Sequence, residues 1–215
     1  MGSHAAAQRS ELVAALQAVP PAAPTLCAGW TALDLAAHVV SRERRLDAGP
    51  GIVIHALAGW TDRVRAGYAR RPYPELIDLI ASGPPWTSLY AVPGVDATLN
   101  LIEFLIHTED VRRAQPGWQP RELGDDLRDV LWNGLRRAAR WYFRSVTVPL
   151  VLARPDGAEL TVAAKGDAEA MPPVRLTGEP EELLLMASGR RTHARVDTDG
   201  TPEALALFTT SRLGL

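Results

Sequence analysis

Apolar positions recur at helical spacing through most of the first two thirds of the chain and alternate with polar ones in the last third. Leu12, Val13, Leu16 and Val19 share one face of a helix predicted from Gln8 to Val19, which Pro20-Pro21 stops. After a loop to Trp30, Thr31 with Asp34 three residues on has the pattern of a capping box and predicts a second helix over Ala32 to Asp47. Gly49-Pro50-Gly51 ends it, and a third helix is predicted from Ile52 to Arg71, with Val53, Leu57, Trp60, Val64 and Tyr68 along one side. A short helix over Pro74 to Ala81 leads to the Gly83-Pro84-Pro85 break and a loop to Pro93-Gly94, long enough to act as a lid or wall. Helix resumes from Asp96 to Ala114 with Leu99, Ile102, Leu105, Ile106 and Val111 apolar. It resumes again from Gly124 to Ser145, where Arg128, Trp132, Arg136, Arg137, Arg140 and Trp141 crowd together.

The texture then changes. Pro149 to Lys165 alternates on both sides of Pro155-Asp156-Gly157, the signal of a hairpin. A strand at Val174 to Leu176, a helix at Pro180 to Ser188, a strand at Ala194 to Asp197 and a helix from Pro202 to Ser211 complete the chain. The pattern predicts an α+β protein with a boundary near residue 147: an all-α part over 5–147 and a small α+β part over 148–215.

Composition narrows the function classes. Apolar residues make up 47% and charged residues 22% of the 215 positions, as in a globular domain, and the formal charge of −2 lacks the basic excess of a nucleic-acid binder. The single cysteine, Cys27, forms no intramolecular disulfide and no multi-thiolate zinc site, which fits a cytoplasmic location. No run of about 18 uncharged apolar residues is present to span a bilayer, and the N-terminus lacks a signal-peptide pattern. Met1-Gly2-Ser3-His4 reads as a cloning remnant, so His4 is set aside.

Chemistry concentrates on two predicted helices. Glu103 and His107 stand four residues apart, about one turn, and project toward one point. His38, mid-helix in Leu35-Ala36-Ala37-His38-Val39-Val40, is suited to complete a His, Glu, His set with an open fourth position, a pattern that catalytic zinc uses. Spacing alone leaves open that Glu103 and His107 are a helix-surface pair and His38 a satisfied core histidine. Asp110, three residues after His107, is placed to orient an imidazole, to add a ligand, or to sit in solvent. Arg42 and Arg45 follow His38 and are placed to hold a carboxylate substrate, the alternative being a solvated Arg42-Glu43-Arg44-Arg45 face. His55 and His193 read as surface residues, the tryptophans as packing, and Cys27 as buried packing, since no histidine or basic neighbour is evident in sequence.

The segments Leu26-Cys27-Ala28-Gly29-Trp30-Thr31 with Asp34-Leu35-Ala36-Ala37-His38-Val39-Val40, then Glu103-Phe104-Leu105-Ile106-His107-Thr108-Glu109-Asp110-Val111-Arg112-Arg113-Ala114, resemble the two signature helices of the DinB-like, mycothiol-dependent maleylpyruvate isomerase family of actinobacteria. Leu176-Thr177-Gly178-Glu179-Pro180-Glu181-Glu182-Leu183 and Ser188-Gly189-Arg190 are similar to that group's C-terminal domain. The resemblance implies a DinB-like four-helix bundle holding zinc or another divalent metal on His38, Glu103 and His107, beside a sterol-carrier-like α+β domain. It also implies a low-molecular-weight thiol, mycothiol, as cosubstrate, used for S-transfer to, or isomerisation of, a small electrophilic substrate. Asp110 is then the orienter and Arg42 the substrate anchor. Expected partners are therefore a small molecule and a thiol, with no nucleic acid or membrane, in a monomer or homodimer. A water-activating zinc enzyme and a non-catalytic metal-binding or ligand-binding module are the alternatives.

Overall fold

The computed structural model describes residues 2–45, 58–85, 97–163 and 171–214. The chain divides into two compact units, Met1–Arg121 and Glu122–Leu215.

The first unit is helical: α1 (Gly2–Gln17), α2 (Ala32–Arg44), α3 (Ala58–Tyr68), α4 (Tyr73–Ala81) and α5 (Ala97–Arg112). Leu12 and Leu16 of α1 are fully buried in one cluster with Leu35, Ala36 and Val40 of α2, Leu76 and Ile80 of α4 and Phe104 of α5. Each such leucine contributes on the order of 1.5–3 kcal/mol through the apolar area it removes from water. Helix α1 lies chiefly along α5, and α2 packs on α3 and α4. The capping box expected at Thr31 is present: its side chain accepts from Asp34 N–H, and Asp34 accepts from Thr31 N–H at 3.1 Å. The start of α2 is thereby fixed, and with it the depth of His38 in the unit.

The first helix begins at Gly2 rather than at Gln8. Ala5-Ala6-Ala7 supplies no apolar stripe, but alanine is the strongest helix former, so the turn propagates through it. The early part of the expected third helix and most of the expected lid loop, with His55 and Trp86, lie outside the described residues.

The second unit opens with α6 (Asp125–Tyr142), followed by β1 (Leu150–Ala153), β2 (Glu159–Val162), β3 (Val174–Thr177), α7 (Pro180–Ala187), a 3-10 turn (Arg191–His193), β4 (Asp197–Asp199) and α8 (Pro202–Thr210). The sheet order is β2-β1-β3-β4, with β1 antiparallel to β2 and parallel to β3, and β4 antiparallel to β3. Register runs from Leu150 opposite Val162 to Ala153 opposite Glu159. The hairpin turns where Gly157 takes a positive φ of 92° and Ala158 N–H bonds Asp156 Oδ1 at 3.0 Å. Leu131 and Leu135 of α6, Leu150 and Leu152 of β1, Leu176 of β3 and Leu184 and Leu185 of α7 are fully buried.

Two expectations shift. Sequence pattern placed the boundary near 147, whereas α6 groups with the sheet, its apolar side packing on α7 and β2. The fourth strand is Asp197–Asp199 rather than Ala194–Asp197. It is an edge strand, where charged, exposed side chains are tolerated and an apolar pattern is not required. Architecture is α+β, as expected, and no helix among the described residues is long and apolar enough to cross a membrane.

Candidate metal centre

Helices α2 and α5 bring together three residues far apart in the chain. His38 Nε2 lies 3.3 Å and His107 Nε2 3.1 Å from the same oxygen, Glu103 Oε1. The two imidazoles meet edge to face with centroids 5.2 Å apart. One atom from each of the three lies within 4.8 Å of the others. Donors about 2.0–2.2 Å from a tetrahedral zinc stand roughly 3.3–3.5 Å apart, so these spacings fit an ion with little side-chain movement. Two imidazole nitrogens and one carboxylate are also the donor types that zinc accepts, with one coordination position left open. Glu103, with 26% of its side chain accessible, marks the solvent side; His38 and His107 retain 12% and 9%.

Asp110 is fully buried behind His107. Its Oδ2 accepts from His107 Nδ1–H at 2.9 Å, and a carboxylate there fixes the tautomer and ring angle that turn Nε2 toward Glu103. Asp110 thus stands on the far side of the ring from Glu103 and is not part of the His38–Glu103–His107 donor group.

Burial disfavours the charged form of each of these groups, and in Glu103 and His107 hydrogen bonds and neighbouring charges outweigh it. For Glu103, desolvation raises the pKa, but hydrogen bonds from His107 and His38 and the charges of His107 and Arg42 hold it well below the usual carboxylate range. For His107, desolvation lowers the pKa, yet hydrogen bonds to Asp110, Cys27 and Glu103 carry it well above the usual imidazole value. His38 goes the other way: desolvation dominates, and it stays neutral beside its charged neighbours.

Arg42 is buried, its Nη1 donating to Asn100 Oδ1 at 2.5 Å and its Nε 3.6 Å from Glu103 Oε1. The solvated face considered for residues 42–45 is not what forms. Glu43 is fully buried and takes Arg9 at 2.5 and 2.9 Å, while Arg44 donates to the carbonyls of Leu79 and Gly83. Here inter-helix pairing replaces pairing along one helix. Arg45 lies apart from the three donors, lining a surface cleft with Trp60, Arg63 and Tyr68. His193, expected to be exposed, is half-buried in the second unit beside Thr192.

Two neighbours of the centre carry little sequence signal. Trp30 packs against His38 with centroids 5.0 Å apart, and the Arg65 guanidinium lies over the Trp30 ring at 4.8 Å while pairing with Asp34 at 2.6 Å. Cys27, expected to be inert packing, is half-buried, with Sγ 3.2 Å from Asp110 Oδ2. Only its place four residues before the α2 N-cap pointed toward the site.

No protein-family model and no curated protein matches this sequence. Among solved structures, the crystal structure of the mycothiol-dependent maleylpyruvate isomerase matches with a TM-score of 0.60 and 17% identity, covering 94% of this chain and 93% of that one. A histidine-to-alanine mutant of the same enzyme matches at a TM-score of 0.58, again with 17% identity and 94% and 93% coverage. With two helices converging on a His, Glu, His donor group, and a similarity that runs through both units, this chain has the fold of the mycothiol-dependent maleylpyruvate isomerase.

Proposed function

We propose that this chain binds one divalent metal ion, zinc by the chemistry of its donors, on His38, Glu103 and His107. With it the protein activates a low-molecular-weight thiol of the mycothiol type for S-transfer to, or thiol-assisted isomerisation of, a small electrophilic substrate. The observation that carries the reading is the convergence of His38 Nε2 and His107 Nε2 on Glu103 Oε1 at 3.3 and 3.1 Å. The likeness to the isomerase supports the thiol half by fold alone. A bound ion supplies positive charge at the open position, lowering the pKa of a thiol or water there.

The chain's own groups do the rest. Asp110 holds His107 by its Nδ1–H, and Trp30 and Arg65 keep the His38 ring in place. Arg42 helps to keep Glu103 ionised, and releasing Asn100 frees the same guanidinium to take a substrate carboxylate. A lone cysteine suits the reducing cytoplasm, where such thiols are kept reduced.

The test is metal content of protein purified without added metal, compared with His107→Ala and followed by cobalt substitution with and without a small thiol. One ion per chain, lost in the variant, with a sulfur-to-cobalt absorbance band on adding thiol, is the expected result. Metal bound but blind to thiol removes the thiol half and leaves a water-activating site. Absence of stoichiometric metal in the wild type sinks the proposal.

A further inference from the structure

Cys27 lies in the loop between α1 and α2, and that loop is fastened to α5 at one residue by two separate bonds. Leu26 N–H donates to the Asp110 carbonyl at 3.0 Å, and Cys27 Sγ stands 3.2 Å from Asp110 Oδ2. The loop is itself ordered: Thr25 Oγ1 donates to Trp30 O at 2.9 Å and accepts from Cys27 N–H at 3.2 Å. Asp110 has no accessible surface, so protein donors rather than solvent must satisfy and orient its carboxylate.

Cys27, His107 and Asp110 also place one donor atom each within 4.8 Å of the others, a second group that shares His107 with the first. An ion in that second group would displace His107 from Asp110 and face a carboxylate with no accessible surface. A neutral imidazole has one N–H and one lone pair, and fixing the N–H at Nδ1 leaves the lone pair at Nε2, on the side of Glu103 and His38. The two groups are therefore one centre and its support.

We infer that Cys27 is a positioning residue for that centre: its thiol donates to Asp110 Oδ2 and so fixes the carboxylate that sets the tautomer and ring angle of His107. This rests on the metal reading proposed above and reaches one bond further out. A thiol suits the place because it is a weak, uncharged donor on a small apolar body. A cation there would compete with the imidazole for the same oxygen.

Zinc affinity of the full chain, measured against a chromophoric chelator, tests it in wild type, Cys27→Val, Asp110→Ala and the double variant. Valine fills the thiol's volume without a donor. Cys27→Val weakens zinc binding by about 10-fold, the low end of the range for groups that orient ligands. Most of that loss disappears in the Asp110→Ala background, because the thiol acts chiefly through that carboxylate. No loss in the wild-type background, or the same loss in both, overturns the inference. Should Asp110→Ala fail to fold by circular dichroism, Cys27→Ser decides: its hydroxyl returns affinity to within about threefold of wild type, whereas a serine variant as weak as valine overturns it. A wild-type chain that binds no zinc overturns the metal reading itself, before any substitution enters.

Discussion

Both imidazole Nε2 atoms face Glu103 Oε1, yet the two rings differ in charge because only His107 also meets Asp110. In the metal-free chain desolvation works against the charge on His107, yet its hydrogen bonds to Asp110, Cys27 and Glu103 raise its pKa well above 6.5. His38, lowered by desolvation, is already neutral, and Glu103 is already ionised. A metal ion needs the neutral imidazole, so binding at neutral pH must expel the His107 proton, while His38 only moves its proton to Nδ1. Affinity therefore rises with pH, about tenfold per unit, until the pH passes the raised His107 pKa, and levels off above it. Calorimetry in buffers of different ionisation enthalpy should report release of about one proton per zinc ion at pH 7. Release of none would mean that His107 is neutral beforehand or is no ligand. Glu103 and His107 were legible as neighbours because an i, i+4 pair on a helix fixes its own geometry, whereas His38 joined them in the sequence only by its apolar mid-helix setting and by the family resemblance. Cys27 was not, since its contact with Asp110 spans 83 residues and nothing local announces it.

Helix α5 does more than carry two of the proposed ligands. Its far face buries Glu109 against Arg113 at 2.6 Å and Arg121 at 2.6 Å, with Arg112 at 3.0 Å, and Arg113 in turn lies over Trp118 at 4.7 Å. Desolvation raises the Glu109 pKa, but the Arg113 hydrogen bond and the charges of Arg121, Arg113 and Arg112 bring it below its model-peptide value of 4.5. A depressed folded pKa means that the pairing stabilises the fold fully above 4.5 and that the gain is lost as pH falls through the folded value. Glu109→Gln keeps the volume and removes the carboxylate charge that faces buried Arg113, at a cost on the order of 3 kcal/mol at neutral pH. Urea midpoints of the two proteins should differ widely at neutral pH and converge well below 4.5. A gap that stays constant on acidification would show that packing, not charge, holds α5 there. Element existence and type were readable from periodicity and from the Thr31 capping box. Element ends were not: α1 extends through alanines that show no pattern, and β4 is defined by pairing with Arg175, Leu176 and Thr177 rather than by its own side chains.

At the scale of the whole molecule, the helix that pattern assigned to the bundle, α6, belongs by its contacts to the sheet unit. An amphipathic stripe states that a helix buries one face and leaves unstated which neighbour receives it, so α6 reads equally well on either side of the boundary. All three proposed ligands, with Asp110, Cys27 and Trp30, fall in the unit before Glu122. Metal binding should therefore stabilise the two units unequally. A ligand that binds only the folded state of one unit raises the free energy of every opening that separates its donors, and leaves alone any opening that does not. Zinc should then slow amide exchange in α2 and α5, the helices that donate His38, Glu103 and His107, and leave the slow amides of β1 and β3 unchanged. Exchange followed by mass spectrometry with zinc and with chelator checks this segment by segment. Equal protection of helices and sheet would mean that the chain opens only as a whole, and protection confined to the sheet would place the ion outside the proposed donors.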